Sequence, residues 1–479
     1  MLKFVAVDQA YPDKRAAAER ALDFGEIAQK FAVARAEEQA SRCSQCGVPY
    51  CSTHCPLHNH IPDWLRLTAQ GRLREAYELS NATSTMPEIC GRICPQDRLC
   101  EGNCVIEFSG HGAVTIGSVE KFITDTAWEE GWVEPLVPVA DRAGQSVGIV
   151  GAGPAGLTAA EYLRGLGYDV HVYDRHDRAG GLLVYGIPGF KLEKPIVTRR
   201  VKRLAEGGIV FHLGFEVGRD ASLADLRARH DAVLVATGVY KARGVKVPGV
   251  GAGGVVKALD FLIASNRKGF GDAVPAWDDG SLNAEGKHVV VIGGGDTAMD
   301  CVRTAIRQGA ASVKCLYRRD RENMPGSQRE VANAEEEGVE FVWLSAPEAF
   351  DAHGEAVCAV RATRMRLGAP DASGRRAPEA DPAGGFRLEA DLVVKALGFD
   401  PEPLPAMFDA PDLSVTRWGT LRIDHKSMQS SIDGVFAAGD IVRGASLVVW
   451  AIRDGRDVAE RMHAYLKAKA KAAAERVAA

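Results

Sequence analysis

The sequence predicts an α/β protein in which a cysteine-rich helical N-terminal domain precedes two Rossmann-like dinucleotide-binding domains, the second inserted into the first. Two observations lead to this fold class. A glycine-rich fingerprint occurs twice, each time between a short apolar run and a stretch with helical periodicity. Eight of the eleven cysteines lie between Cys43 and Cys104, ahead of both fingerprints.

The first fingerprint lies between Ser146 and Asp174. An apolar run from Val147 to Val150 predicts a buried parallel strand, and the helical stretch after the glycines leads to a second strand that ends in an acid. In GxGxxG spacing, the first glycine permits the tight turn, the second lets a pyrophosphate approach the backbone, and the third lets helix and strand pack closely. A carboxylate at the strand end can accept hydrogen bonds from an adenosine ribose. The predicted binding residues are Gly151, Gly153, Gly156 and Asp174.

Three later segments are predicted to contact the same dinucleotide as the first fingerprint. Soon after the first unit come two adjacent glycines, which permit close backbone approach, and several large apolar residues suited to lie against a flavin ring. A buried strand from Asp231 to Gly238 ends in Ala-Thr-Gly, and another from Gly434 to Asp440 ends in Gly-Asp. We therefore expect FAD here, with Asp440 bonding its ribityl or pyrophosphate portion. These segments add Gly181, Leu182, Gly238, Gly439 and Asp440 to the site.

The second fingerprint follows the strand from Lys287 to Ile292 and has GxGxxA spacing. The strand after its helix, Ser312 to Tyr317, ends in two arginines instead of an acid. Arginine at this place accommodates the 2′-phosphate of NADP, whereas an acid would repel it. The second unit is therefore expected to bind NADPH. Its predicted binding residues are Gly293, Gly295, Thr297, Ala298, Arg318 and Arg319.

The order of these segments predicts the domain boundaries. Residues 1–144 form the cysteine-rich domain, residues 145–248 and 399–479 the FAD-binding domain, and residues 249–398 the NADPH-binding domain. The composition of residues 13–41 predicts helix, and residues 135–145 are expected to be a linker. The polar, Pro/Gly-rich stretch 369–385 is expected to be a surface loop.

The cysteine spacing indicates metal binding. The first run is CxxCx4CxxxCP, starting at Cys43, and the second begins CxxxCP at Cys90. Such runs are typical of bacterial two-cluster ferredoxins, in which the fourth cysteine of each run ligates the other cluster. Structural zinc is the alternative, but zinc sites usually show two CxxC pairs and only one is present. The nearby histidines, His54, His58 and His60, are expected to be local hydrogen-bonding groups.

Composition and charge exclude several classes of partner. The formal net charge of −5 gives no reason to expect nucleic acid or an anionic membrane. No apolar run approaches the length that spans a bilayer, and the N-terminus carries acids and a proline where a signal peptide has its apolar core. We therefore expect a cytoplasmic protein, in which dense cysteines bind metal rather than form disulfides.

Five features carry a resemblance to a known family: the cysteine module and the motifs GAGPAGL, GGLLVYGIP, GGGDTAMD and VFAAGD. Together they resemble the small (beta) subunit of bacterial NADPH-dependent glutamate synthase, and the resemblance covers nearly the whole chain. The resemblance implies an α/β fold with a helical two-cluster iron–sulfur domain and an NADPH domain inserted into the FAD domain. In dihydropyrimidine dehydrogenase, which has the same architecture in its amino-terminal half, one cluster ligand is a glutamine. The matching residue here is Glu120, which is favoured over Cys90. The implied ligands are Cys43, Cys46, Cys51 and Cys104 for one [4Fe–4S] cluster, and Cys55, Cys94, Cys100 and Glu120 for the other.

The resemblance also implies a function. NADPH gives up a hydride, a flavin can accept it and release electrons one at a time, and clusters carry them to a large (alpha) subunit that makes glutamate from glutamine and 2-oxoglutarate. No side-chain acid or base is needed, and nothing in the chain resembles a glutaminase site. One alternative is the flavin subunit of a ferredoxin-linked NADPH oxidoreductase. The other is a non-catalytic cysteine-rich scaffold, which the two intact fingerprints disfavour.

Overall fold

The computed structural model describes residues 1–139, 144–370 and 376–478. The part before residue 139 is helical, and the cysteine-containing turns divide it into short helices. Proline stands in the first turn of two of them, where its missing N–H costs no hydrogen bond. The helices are α1 (Ala17–Arg20), α2 (Val33–Ala40), α3 (Tyr50–His54), α4 (Ile61–Ala69), α5 (Leu73–Asn81), α6 (Pro87–Ile93), α7 (Val105–Phe108) and α8 (Ile116–Glu129), with 3-10 turns at Lys3–Val5 and Gln96–Arg98.

The first fingerprint opens a parallel α/β unit. Its apolar runs form strands that are buried on both faces, as expected for a sheet covered by helices on both sides. The elements are β1 (Ser146–Val150), α9 (Pro154–Gly165), β2 (Asp169–Asp174), α10 (Leu182–Tyr185), α11 (Lys194–Glu206), β3 (Val210–Leu213), α12 (Leu223–Arg229) and β4 (Ala232–Val235).

A short strand then leads into the second unit, which carries a long antiparallel extension. The elements are β5 (Lys241–Ala242), β6 (Val255–Lys257), α13 (Ala258–Gly269), α14 (Pro275–Asp278), β7 (His288–Ile292), α15 (Asp296–Arg307), β8 (Ser312–Leu316), α16 (Gln328–Glu336), β9 (Glu340–Val342), β10 (Ser345–His353), β11 (Ala356–Pro370), β12 (Arg376–Glu389) and β13 (Leu392–Lys395).

The last part of the chain returns to the first sheet. It contains β14 (Phe399–Asp400), α17 (Leu404–Met407), β15 (Val435–Ala437), α18 (Asp440–Arg443) and α19 (Val448–Ala478). The strand order is β15-β4-β1-β2-β3 in the first sheet and β6-β13-β7-β8-β9 in the second, while β5 and β14 pair as a two-stranded ribbon. The second unit is therefore an insertion between β4 and β15, as predicted. No helix in the described ranges is long and apolar enough to cross a membrane.

Two local predictions were wrong. Residues 13–41 contain only α1 and α2; the chain between them is held by tertiary contacts, including an antiparallel bridge between Lys14 and Ala28. In the stretch 369–385, residues 369–370 and 376–385 do not form a loop, because they belong to β11 and β12, which pair as antiparallel strands. Residues 371–375 of that stretch, and residues 140–143 of the expected linker, lie outside the described residues.

The helical domain shares a core with the first α/β unit. Met86, just before α6, and Ile89, within it, are fully buried in the same apolar cluster as Val147 of β1. Beside this cluster, the Arg200 guanidinium of α11 donates two hydrogen bonds, of 2.9 and 3.0 Å, to the Glu88 carboxylate of α6. Both side chains are at most 1 % exposed. The domain is therefore fixed to the flavin unit by packing and by a bidentate ion pair.

A second buried ion-pair network fixes the N-terminal segment to the second unit. The Glu337 carboxylate accepts hydrogen bonds from Arg303, Arg307 and Arg20, and none of these side chains is more than 1 % exposed. Burial alone would raise the pKa of Glu337, but the arginine hydrogen bonds and charges outweigh it and lower the pKa to about 2. The carboxylate is therefore charged at neutral pH.

We expect Glu337→Gln to destabilise the protein by about 3 kcal/mol, because it leaves buried arginines without their counter-charge. The stabilisation by the charged Glu337 is complete above about pH 4.5, which is the ordinary pKa of a glutamate carboxyl. It is lost as the pH falls towards the pKa of about 2 in the folded protein. Denaturant unfolding from pH 7 to pH 3 should therefore show a difference between the two proteins that shrinks at acid pH. Glu340→Gln, at an exposed ion pair, is the control and should change little.

Candidate functional site

The two fingerprint turns are built in the same way. Gly151 has φ +111°, and a Cβ there would lie 2.3 Å from the carbonyl oxygen of Ala236, at the end of the neighbouring strand. Gly293 has φ +148°, and its Cβ would lie 2.2 Å from the carbonyl oxygen of Ala396. Only glycine combines this backbone conformation with so close a strand crossing. Each turn therefore aims a helix N-terminus at the carboxyl edge of its sheet.

A cavity of about 210 Å³ opens above the first turn. It brings together every residue predicted for FAD except Gly156, which packs beneath the turn, where a Cβ would lie 2.0 Å from the Gly151 carbonyl oxygen. The predicted residues that line the cavity are Gly151, Gly153, Asp174, Gly181, Leu182, Gly238, Gly439 and Asp440.

The polar groups of this cavity suit a bound polar ligand. The Thr237 hydroxyl oxygen is buried and has no hydrogen-bond partner among the described residues, although buried hydroxyls are normally paired. Burial raises the pKa of Asp440 to about 6, against the effect of a backbone hydrogen bond from Ser446. An adjoining cavity of about 50 Å³ shares Asp174, Thr237 and Tyr240 with the first. The two cavities therefore adjoin at the carboxyl ends of β2 and β4, the edge at which ligands bind in open α/β sheets.

Asp174 also has a structural role that the motif did not predict. One carboxylate oxygen accepts the N–H of Ala152, in the glycine-rich turn, at 2.7 Å. The other accepts the N–H of His176 at 2.8 Å. A carboxylate has about four acceptor positions, so a ribose hydroxyl could still be accommodated. The expected ribose contact stays a prediction.

Sequence reasoning missed several residues of this site. Tyr240 lines both cavities, and the guanidinium carbon of Arg175 lies 4.6 Å from the centre of its ring. Leu447 and Val448, at the start of α19, line the larger cavity. Tyr240 follows the carboxyl end of a parallel strand, where ligands bind in open α/β sheets, and that position was the available signal. The sequence predicts a helix from Leu447, but nothing local marked its first turn as part of the ligand site.

The second turn is open on its ligand side. A Cβ at Gly295 would meet nothing within 4 Å. Arg318 is exposed and Arg319 is half-buried, and the Nε of Arg319 is a buried donor without a partner among the described residues. These free guanidinium donors at the end of β8 suit a phosphate. Asp296, the residue after Gly295, is a carboxylate that the sequence analysis did not weigh.

The eight N-terminal cysteines fall into two neighbouring groups, and all are free thiols. Burial raises the pKa of Cys51 to about 12, and the nearby Cys104 and Cys43 add to the rise. Cys46 is likewise a neighbour of Cys43. Among the described residues, no three His, Cys, Asp or Glu side chains are placed to hold a single metal ion. Cys43, Cys46, Cys51 and Cys104 are electrostatic neighbours, and their assignment to one cluster stays a prediction.

The second group lines a small cavity of about 30 Å³. Its lining includes Cys55, Cys94, Cys100, Glu120 and also Cys90, so both candidates for the eighth ligand are present. Burial raises the pKa of Glu120 to about 8, although one carboxylate oxygen accepts hydrogen bonds from Asn59 at 3.1 Å and Ser80 at 3.3 Å. Thiols must lose their protons to bind iron, so loading this site would release protons.

One turn of α19 separates this thiol cavity from the flavin cavity. Val449 lines the thiol cavity, while its neighbour Val448 lines the flavin cavity. Val449 is only 2 % exposed, and α19 is tied to the helical domain by Arg453, which donates to the Pro56 carbonyl oxygen at 3.2 Å. The two sites are therefore held side by side across an apolar wall.

Comparisons with known proteins agree with this architecture. Residues 145–455 match the pyridine nucleotide-disulphide oxidoreductase family. Residues 20–132 match the domain described as dihydropyrimidine dehydrogenase domain II, 4Fe-4S cluster. The fold and site thus define a flavin-type pyridine nucleotide oxidoreductase with an N-terminal iron–sulfur domain, as predicted.

More particularly, the chain belongs to the family of glutamate synthase [NADPH] small chains. It is 68% identical over 472 residues to the small chain of Azospirillum brasilense, with 98% of each protein covered. It is 45% identical to the Escherichia coli K12 small chain, covering 97% of this chain and 98% of that protein. The predicted family is confirmed.

A solved structure shares the fold of the two dinucleotide-binding units. Mycobacterium tuberculosis FprA in complex with NADPH aligns with a TM-score of 0.57 at 21% identity, covering 70% of this chain and 89% of that one. The similarity supports the arrangement of the two units and does not extend to individual residues.

We expect Gly153→Ala to weaken FAD binding roughly tenfold, because an added methyl overfills a close contact. The apo protein should keep its stability, since Gly153 has φ −80° and its Cβ would meet no atom within 4 Å. Flavin content and thermal unfolding of the apo protein measure the two effects. Gly165→Ala, at the other end of the same helix, should retain flavin; a variant at Gly153 that retains it as well would contradict the prediction.

Proposed function

We propose that this chain is the electron-input subunit of glutamate synthase. It oxidises NADPH by hydride transfer to FAD and passes electrons singly through two [4Fe–4S] clusters to the large subunit. The observation that carries the proposal is the contact of the flavin cavity with the second thiol group through Val448 and Val449. A chain that only exchanged hydride would have no use for metal sites beside its flavin.

The protein's residues supply placement rather than acid–base chemistry. When bound, FAD converts a two-electron donor into a one-electron donor, which is the chemistry that iron–sulfur clusters require. The first turn and α19 hold the flavin cavity, and Leu182 and Leu447 give it apolar walls. Val449 closes the thiol cavity on the flavin side and excludes water from it.

The two thiol groups define an order for the electrons. Cys55, Cys94 and Cys100 lie in the cavity that touches α19, so their cluster is the first acceptor. Cys51 is an electrostatic neighbour of Cys100, which supports the other group as the next site along the route. The group of Cys43, Cys46, Cys51 and Cys104 is then the exit towards the large subunit. We infer that the protein works in the cytoplasm, without a membrane or nucleic-acid partner.

The test is anaerobic purification followed by reconstitution. The protein should contain one FAD and two [4Fe–4S] clusters, and NADPH should reduce both cofactor types before any partner is added. Glutamate should form from glutamine and 2-oxoglutarate only when the large subunit is present. Efficient NADPH-driven reduction of a ferredoxin, with no glutamate formed beside the large subunit, would favour the ferredoxin-linked alternative instead.

We expect Arg319→Ala to raise the KM for NADPH at least tenfold, since a charge-assisted hydrogen bond contributes roughly 1.5–3 kcal/mol. The KM for NADH should change little, because NADH lacks the 2′-phosphate; Arg318→Ala should behave in the same way. Steady-state kinetics with a one-electron dye measure both values. Arg321→Ala removes a nearby arginine that is already paired with Glu335, and serves as the control.

We also propose Glu120, rather than Cys90, as the eighth cluster ligand. A carboxylate is a harder ligand than a thiolate and changes the charge around the cluster. Glu120→Ala should therefore lower the iron content or shift one cluster potential, while Cys90→Ala should leave both clusters intact. Iron analysis and electron paramagnetic resonance of the reduced proteins distinguish the two assignments, and Cys358→Ala is the control. Loss of a cluster in Cys90→Ala alone would reverse the assignment.

A further inference from the structure

The loop between Cys94 and Cys100 touches the second fingerprint, although it belongs to the iron–sulfur domain. Arg98, in the 3-10 turn of this loop, donates to the Pro325 carbonyl oxygen at 2.6 Å. Its other terminal nitrogen lies 3.4 Å from a carboxylate oxygen of Asp296. The neighbouring Asp97 carboxylate accepts a hydrogen bond from the Ser327 hydroxyl at 3.2 Å. The loop is thus seated on the dinucleotide turn by three polar contacts.

Asp296 occupies an unfavourable place for a pyrophosphate site. It is the first residue of α15, where the helix N-terminus would otherwise attract phosphate. The Ser327 N–H donates to one of its carboxylate oxygens at 3.0 Å, but this neutral donor leaves the negative charge in place. Arg98 is the cation within ion-pair distance of this carboxylate among the described residues; Lys191, which is paired with Asp300, is a more distant positive neighbour.

We propose that Arg98 is a positioning residue for the dinucleotide: it offsets the charge of Asp296 and so permits pyrophosphate to bind at the second turn. The proposal rests on the proposed function, which assigns this turn to NADPH. The side chains of Arg98 and Asp296 are 43% and 36% exposed, so the pair contributes little to folding. The pair instead affects the affinity for the charged nucleotide. A residue of the iron–sulfur domain thereby completes the nucleotide site of the second unit.

The test is a double-mutant cycle with Arg98→Ala and Asp296→Asn, read as NADP⁺ and NAD⁺ binding by isothermal titration calorimetry. Arg98→Ala should weaken both nucleotides roughly fivefold, the size of one exposed charge interaction. The equal loss distinguishes it from Arg319→Ala, which should affect NADP⁺ alone. Asp296→Asn should not weaken binding, and the double variant should bind as Asp296→Asn does. The loss should shrink at high salt.

Arg66→Ala is the matched control, because Arg66 forms an equally exposed ion pair with Asp63 in the same domain. Its nucleotide affinity should equal that of the wild type. Unchanged binding by Arg98→Ala, or a double variant as weak as Arg98→Ala alone, overturns the proposal while NADPH oxidation stands. A wild-type chain that binds neither nucleotide overturns the proposed function as well.

Discussion

The buried ion pair between Arg200 and Glu88 is the interaction on which the arrangement of the sites depends. Burying two charges is costly, and the cost is offset only when the geometry is close and the hydrogen bonds are complete. The bidentate contact meets the condition of close geometry and joins α6 to α11. The remaining Nη1 of Arg200 has no hydrogen-bond partner among the described residues and lies 4.0 Å from a carboxylate oxygen of Glu161. Because Met86 and Ile89 add a shared apolar core, the helical domain has one defined position on the flavin unit.

Because the helical domain has a fixed position, one turn of α19 lines both the flavin cavity and the thiol cavity. Val448 and Val449 face opposite cavities because successive helical residues point in different directions. Small rotations of the helical domain would open the apolar wall to water or separate the cavities. Rigid seating is therefore a functional requirement for a chain that passes electrons between buried sites, and not only a source of stability.

In the N-terminal segment, contacts between domains override the local preference of the sequence for helix. Residues 13–41 have a helix-forming composition, yet only α1 and α2 form. Arg20 is instead used to reach Glu337 in the second unit, and Lys14 reaches Asn333 and Glu336 beside it. A continuous helix could not follow this path between domains. The same segment thereby links the iron–sulfur domain to the NADPH unit.

The sequence by itself determined the features that are local in the chain. The fingerprint turns, their strands and the strand-end arginines depend on adjacent residues, because a turn at Gly151 or Gly293 is set by backbone sterics within a few positions. The insertion of the second unit also followed from motif order. Helix composition alone failed for residues 13–41, and polarity alone failed at the β11–β12 hairpin, since cross-strand pairing is a long-range property.

Only the tertiary structure decided which distant residues meet. Cys90 and Glu120 face one cavity, Val449 closes it from a helix that begins more than 300 residues later, and Arg98 reaches Asp296 in another domain. The Thr237 hydroxyl is left for a ligand because burial leaves it without a partner among the described residues. Such contacts depend on how whole domains pack, and packing is fixed by the sum of many burial and ion-pair terms rather than by any motif.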